Sequence, residues 1–315
     1  MPVEDSQVPR TKKQLSLILL SYATVYLVWG GTYLFIRLAV RTIPPFYVVG
    51  LRFLTGGILF LLIALLSGRM KRMPTGKEIA ASVFLGTFLL LGGNGLVTLA
   101  EKKVDSYLAA LVISSTPMAV ALFDLLLIGK KLSLVGWLGI LAGMAGVFTL
   151  LYDGTSFALS FTPEILLVIA GLGSWAFATS LGHRIKVYPD VFVNSGIQMI
   201  FVGAVCLLVL QATQPLTLQQ VSSFSALSIT GLAYLAVIGS AAFVAYNFLI
   251  KNEPAIRVVS YAFVNPIIAL FLGLAVAGET ARPFLAPGVV LILLGLFAML
   301  YGDVLIRQFS RTQAV

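Results

Sequence analysis

Apolar residues in this chain fall into blocks of about 20, separated by short clusters of charged and turn-forming residues. About 20 apolar residues let a helix cross the hydrocarbon core of a bilayer. The blocks predict ten helices, over 14–38, 46–67, 79–100, 106–128, 134–152, 164–182, 190–210, 224–249, 256–277 and 284–302. The loops between them are short. The longest are SGRMKRMPTGKE after the second block and QATQPLTLQQVSS after the seventh. Neither holds a soluble domain, so any function resides in the bundle.

Composition agrees. The 315 residues are 59% hydrophobic and 10% charged, with a mean hydropathy of +1.01. A soluble domain is about 25% charged. The net charge of +9 therefore points to short loops that set orientation against the membrane rather than to nucleic acid. Orientation follows from Lys and Arg, which collect on the cytoplasmic side. With the N-terminus inside, five basic residues fall outside (Arg37, Arg41, Lys102, Lys103 and Arg282). Fifteen fall inside, and Arg52 lies within the second block. Both termini are expected in the cytoplasm and the loop near Asp153–Thr162 outside. The first block is too long for a cleaved signal. Cys206 and His183 are the single cysteine and histidine. They offer no disulfide within the chain, no metal cluster and no cofactor ligand set.

The chain also repeats. At an offset of 149, Pro117 falls on Pro266, Gly129 on Gly278, Gly139 on Gly288 and Gly146 on Gly295. Earlier, at about 146, Trp29 meets Trp175, Gly50 meets Gly196 and Arg52 meets Gln198. Each unit then holds five helices. An odd number turns the second unit upside down, a plan common among secondary transporters. The expected parts are a tail (1–13), a first unit (14–153), an inverted second unit (154–303) and a C-terminal tail (304–315).

These segments resemble a known family. VWGGTYLFIR in the first block, GLRFLTGGILFLL in the second and SSTPMAVALF in the fourth carry the likeness. VNPIIALFLGLAVAGE in the ninth and the paired G-x6-G spacing complete it. Together they resemble the EamA branch of the drug/metabolite transporter superfamily. The resemblance implies an all-α polytopic membrane protein, with ten helices as two inverted five-helix repeats around a central cavity. It also implies an inner-membrane exporter of amino acids, other metabolites or toxic compounds. One departure is visible. Glu279 follows Gly278, but Lys130 follows Gly129, so residue 130 is not expected to take part in transport.

Several residues are candidates for the pathway. Tyr22, Tyr26, Trp29 and Tyr33 share one helical face over about 16 Å. Trp29 and Tyr33 are expected to line a cavity, with packing or lipid contact as the alternative. Gly30 and Gly31 permit a bend or the close approach of a neighbour. Pro117 and Pro266 each free a backbone carbonyl, at Ile113 and Ala262, and create a hinge. Beside them stand Ser114, Ser115 and Thr116 in one unit, and Ser260, Tyr261 and Asn265 in the other. Such groups bind a polar solute or satisfy the kink themselves. Asn94, set among glycines, and Trp175, the counterpart of Trp29, are further cavity candidates. Tyr246 and Asn247 are weaker ones. Arg52 and Asp124 are intramembrane charges with a coupling or gating role, or a structural pairing, as readings. Gly139 and Gly143 form a GxxxG, suited to packing within the chain or to a homodimer; a monomer is equally compatible.

An enzyme needs a nucleophile–base set or metal ligands, which these helices lack. A channel needs a continuous polar lining. A receptor or scaffold has no evident use for the repeat. A transporter working by alternating access on a small solute remains, with a multidrug exporter and a nucleotide-sugar-like carrier as variants of it. Away from the block ends the only acid is Asp124, itself off the midplane, with Glu101 and Asp105 at helix ends. Facilitated export or exchange, without proton coupling, is the expectation.

Overall fold

The boundaries of the helices follow local chemistry. The computed structural model describes residues 12–129, 133–152, 162–182, 184–253, 258, 261–281 and 283–312. The readings on Arg10, Lys130, Lys131, His183, Arg257, Ser260 and Arg282, and on the loop at 153–161, lie outside the described residues. Helix α1 is Lys12–Ala39 and α2 is Pro45–Leu66, started by proline in its first turn. Helix α3, Gly76–Ala100, starts from a capping box in which Thr75 and Glu78 exchange side-chain and backbone hydrogen bonds. Helix α4 has two pieces, Ser106–Ile113 and Thr116–Ile128. Helix α5 is Leu134–Leu151, capped by Ser133, and α6 is Pro163–Gly182. Asp190 caps α7, Val191–Thr213, by accepting from the amides of Phe192 and Val193. A short helix, Leu218–Ser222, precedes α8, Ala226–Asn252. Helix α9, Tyr261–Leu272, runs into a π-helical turn at Gly273–Ala277, and α10 is Leu285–Thr312.

Seven of these (α1, α2, α3, α4, α6, α7 and α8) are long and apolar enough to cross a membrane. Three shorter apolar helical stretches lie within α5, across α9 and its π-helical turn, and within α10. Leu20, Leu27, Leu66, Leu126, Leu208 and Phe271 are largely exposed. An apolar surface of this kind suits lipid rather than water. Helix α4 ends at Gly129 (φ +70°) and α9 at Gly278 (φ +68°). Both glycines close a helix in the left-handed conformation that other residues avoid.

Packing is pairwise. Helix α2 lies along α7, and α5 along α10. Helix α1 packs on α8 and α9, and α6 packs on α3 and α4. Glycine sets the tightest contact. A Cβ on Gly139 would meet the Gly295 carbonyl at 2.6 Å, and one on Gly146 would meet the Gly288 carbonyl at 2.8 Å. The two G-x6-G motifs are thus the facing surfaces of α5 and α10. Gly143 is turned to Met118, so both glycines of the GxxxG are covered from within the chain.

Gly30 and Gly31 do not break α1, which is continuous through them. A Cβ on Gly30 would fall 2.8 Å from Ile268, so glycine here lets α9 close on α1. The two prolines behave differently. Helix α4 is interrupted at Ser114–Ser115, just before Pro117, whereas Pro266 lies inside an unbroken α9. At the interruption, Thr116 Oγ1 donates to the Ile113 carbonyl (2.6 Å) and Ser114 Oγ to the Leu111 carbonyl (2.6 Å). The carbonyl that Pro117 frees is therefore already satisfied.

Candidate functional site

A central cavity of about 70 Å³ lies between α1, α2, α3, α4, α6, α8 and α9. Helix α1 supplies Trp29, Thr32, Tyr33 and Ile36, spaced along one face. Helix α3 supplies Leu90, Gly93, Asn94 and Val97. Its segment Thr87–Gly95 is π-helical, a widened turn common at functional sites. Glycine also seats the opposite wall. A Cβ on Gly93 would lie 2.9 Å from the Trp175 ring, and one on Gly171 would lie 2.8 Å from the Gly93 carbonyl. This close approach brings α6, and Trp175 with it, against α3.

The cavity has an aromatic end and a charged side. Trp29 packs on Trp175 (ring centroids 5.6 Å), Tyr246 (4.9 Å) and Tyr261 (5.6 Å). Trp175 and Tyr246 are 5.4 Å apart. These four rings form a box at one end. Tyr246 is fully buried, and its hydroxyl shares a hydrogen bond of 3.2 Å with Thr179 Oγ1. Beyond the box, Tyr22 and Tyr26 pack with Ile18 and Leu249. Arg52 stands on the side of the cavity. It is buried at 3% exposure, and Nη1 donates to Asn94 Oδ1 at 3.0 Å. Its Nε has no hydrogen-bond partner. Phe53, which also lines the cavity, lies 4.8 Å beneath the guanidinium. Among the described residues no carboxylate lies within ion-pair distance of Arg52.

The structure thus brings together Trp29, Tyr33, Arg52, Asn94, Trp175 and Tyr261. Ser114, Ser115, Thr116 and Asn265 do not line this cavity, although Ile113 beside them does. Ser115 Oγ and Asn265 Oδ1 are buried without partners. Asp124 is away from the cavity and accepts from Ser180 Oγ of α6. Tyr246 and Phe243 carry more of the site than their sequence suggested. Their signal was helical spacing: 239, 243 and 246 lie on one face of α8, the face turned to Arg52 and the two tryptophans. Two recesses flank the bundle. One, at the Arg37 end, is lined by Arg37, Arg41, Lys102, Asp105 and Glu279. The other, at the Arg72 end, includes Tyr188, Asn194, Asn247 and Lys251.

A cavity of this kind, inside a bundle with an apolar surface, fits a multi-pass membrane transporter. Family comparison agrees. The model of the EamA-like transporter family matches residues 15–152 and again 162–301. The chain belongs to the EamA-like transporter family, within the drug/metabolite transporter superfamily. It is 37% identical over 273 residues to the "Uncharacterized inner membrane transporter YedA" of Escherichia coli K12, covering 84% of this chain and 85% of that one. It is 26% identical to "Protein PagO" of Salmonella typhimurium, over 80% of this chain and 82% of that one. A solved crystal structure shares the fold with a TM-score of 0.65 at 22% identity, over 94% of this chain and 99% of that one. The protein is thus of the multi-pass inner-membrane type.

Proposed function

We propose that the chain exports a small organic solute with a carboxylate and an apolar or aromatic body, an amino acid among them, across the cytoplasmic membrane. The observation that carries this reading is the cavity itself. One buried cation with an unused donor stands beside a four-ring box. A carboxylate at Arg52 would make charge-assisted hydrogen bonds in a dry site, and the box would hold the body of the solute. A single basic residue in the lining disfavours a nucleotide sugar, whose two phosphates need more.

The proposed architecture is ten spans in two inverted units, 14–153 and 154–303, with both termini cytoplasmic. The pairing of helices supports it. Exchanging α1–α5 for α6–α10 preserves the main pairings: α1 with α8 and α9 becomes α6 with α3 and α4, while α2–α7 and α5–α10 map onto themselves. The left-handed Gly129 and Gly278 are mates at the same offset. Alternating access would open the central cavity to each end in turn, at Arg37 and at Arg72.

The test is binding to purified protein, read by the fluorescence of Trp29 and Trp175. L-phenylalanine is expected to bind, and its carboxamide to bind roughly ten- to a hundredfold more weakly, as the loss of a hydrogen bond to a charged group predicts. Arg52→Gln should abolish the difference. Equal binding of acid and amide by the wild type would move the site elsewhere.

A further inference from the structure

Polar chemistry does not stop at Arg52. Asn94 and Thr98 of α3, and Glu101, the residue that ends it, follow spacings of four and three and so share a face, about 10 Å from end to end. Thr98 Oγ1 donates to the Asn94 backbone carbonyl (2.8 Å) and lies 3.4 Å from its side-chain oxygen. One helical turn past Val97, the last residue of α3 in the cavity lining, comes Glu101. It is fully buried, and neither carboxyl oxygen has a hydrogen-bond partner.

Its neighbours do not change that. From α1, Arg37 donates to the backbone carbonyl of Glu101 (2.6 Å), not to its carboxyl, and pairs with Asp105 at 3.7 Å. Tyr33 of α1, Arg37, Arg52 of α2 and Glu279 beyond α9 are the titratable and charged groups that act on the Glu101 carboxyl. Tyr234 of α8 acts on Arg52. The other acids at this end are engaged. Glu279 accepts from Ser106 N (2.8 Å) and Ser106 Oγ (3.0 Å), and Glu164 pairs with Lys103 at 2.6 Å. Glu101 stands between the central cavity and the Arg37-end recess, with no donor of its own. A buried carboxyl with no donor and a second carboxylate nearby is the setting of a neutral acid.

We propose that Glu101 is a proton-binding site, protonated when the cavity is empty and deprotonated when a solute's ammonium group arrives. Arg52 and Glu101 then form a matched pair for a zwitterion. The solute carboxylate goes to Arg52, and its ammonium group supplies the positive charge that the proton held. On binding, the O–H bond of Glu101 breaks and the proton leaves to water on the side from which the solute came. After the solute departs at the Arg37 end, a proton from the recess re-forms that bond. One solute moves out for one proton in, and proton-coupled exchange replaces the expectation of facilitated export or exchange without proton coupling. This rests on the reading of the cavity as the solute site.

The test separates the two. Infrared spectra of solute-free protein in nanodiscs at neutral pH should show a protonated-carboxyl C=O band, lost in Glu101→Gln and kept in Glu279→Gln. A band that survives Glu101→Gln overturns the proposal; if that variant does not fold, a band unshifted in Glu101→Asp does so. L-phenylalanine should remove the band, and phenylacetate, which lacks the ammonium group, should leave it. If L-phenylalanine does not alter tryptophan fluorescence, the solute reading fails, while the band of the empty protein still decides the proton site. In proteoliposomes, an imposed pH gradient should drive uphill L-phenylalanine movement, with complete loss in Glu101→Gln. Loss in Asp124→Asn with full retention in Glu101→Gln would place the proton at Asp124 and overturn the proposal.

Discussion

Arg52 Nη1 and Asn94 Oδ1, 3.0 Å apart, join α2 to α3 across the wall of the central cavity. Asn94→Ala would leave a second part of a buried guanidinium without an acceptor. An unpaired buried group of this kind costs about 1–3 kcal/mol. The expected outcome is a lower midpoint of thermal unfolding in detergent. A carboxylate bound at Arg52 would replace the lost acceptor, so L-phenylalanine should raise the midpoint of the variant more than that of the wild type. An unchanged midpoint would mean that Arg52 finds another partner.

The contact between Gly139 and Gly295 makes the second prediction. A methyl group on Gly139 would press on the Gly295 carbonyl and the Met299 amide, both backbone atoms that cannot swing away. Overpacking of this sort costs about 1–3 kcal/mol. Gly139→Ala should therefore reduce folded yield and melting temperature. Gly173, in α6, is the control. Nothing lies within 4 Å of a Cβ there, and alanine favours a helix over glycine by about 1 kcal/mol. Gly173→Ala should match or exceed the wild type. The reverse order would show that α5 and α10 do not approach as closely as described.

These two contacts also show what a sequence displays and what it hides. The G-x6-G pairs were legible because glycine recurs where backbones touch. Trp29, Asn94, Trp175 and Arg52 were legible because large or polar groups in an apolar block need a partner or a cavity. The different fates of Pro117 and Pro266 were not. They depend on whether Ser114 and Thr116 turn back to their own carbonyls, a rotamer choice that spacing does not encode. The role of Gly30 depends on Ile268, over 200 residues away. Glu101 read only as an acid at a helix end. Its carboxyl goes without a donor because Arg37 donates to the Glu101 backbone carbonyl and pairs with Asp105.

Orientation is open to direct labelling. Cys206 is buried, and Cys206→Ala gives a background without thiols. The proposal puts Lys102 outside and Lys71 inside, and both are exposed. A membrane-impermeant maleimide added to intact cells should label Lys102→Cys and not Lys71→Cys. Inverted vesicles should give the opposite result. Labelling of Lys71→Cys from outside would turn the whole bundle over, and with it the direction assigned to each recess.

The aromatic box makes the last prediction. Tyr246 is fully buried, touches Trp29 at 4.9 Å and Trp175 at 5.4 Å, and bonds to Thr179. It lies between the cavity and the Arg72 end, so its ring should act as part of the barrier on that side. Tyr246→Phe keeps the ring and loses only the hydroxyl. Tyr246→Ala removes the ring. Large-to-small changes at buried aromatics cost about 3–5 kcal/mol, so folded protein must be measured alongside. The reporter is Thr32→Cys, on the cavity wall, in the Cys206→Ala background. In inverted vesicles, a hydrophilic thiol reagent should reach this cysteine faster when Tyr246 is alanine, per folded molecule. With phenylalanine there, the rate should stay at that of the tyrosine protein. If alanine leaves the rate unchanged, the barrier towards Arg72 is formed by Tyr22, Tyr26 and Leu249 below the box, and the four rings serve the solute alone.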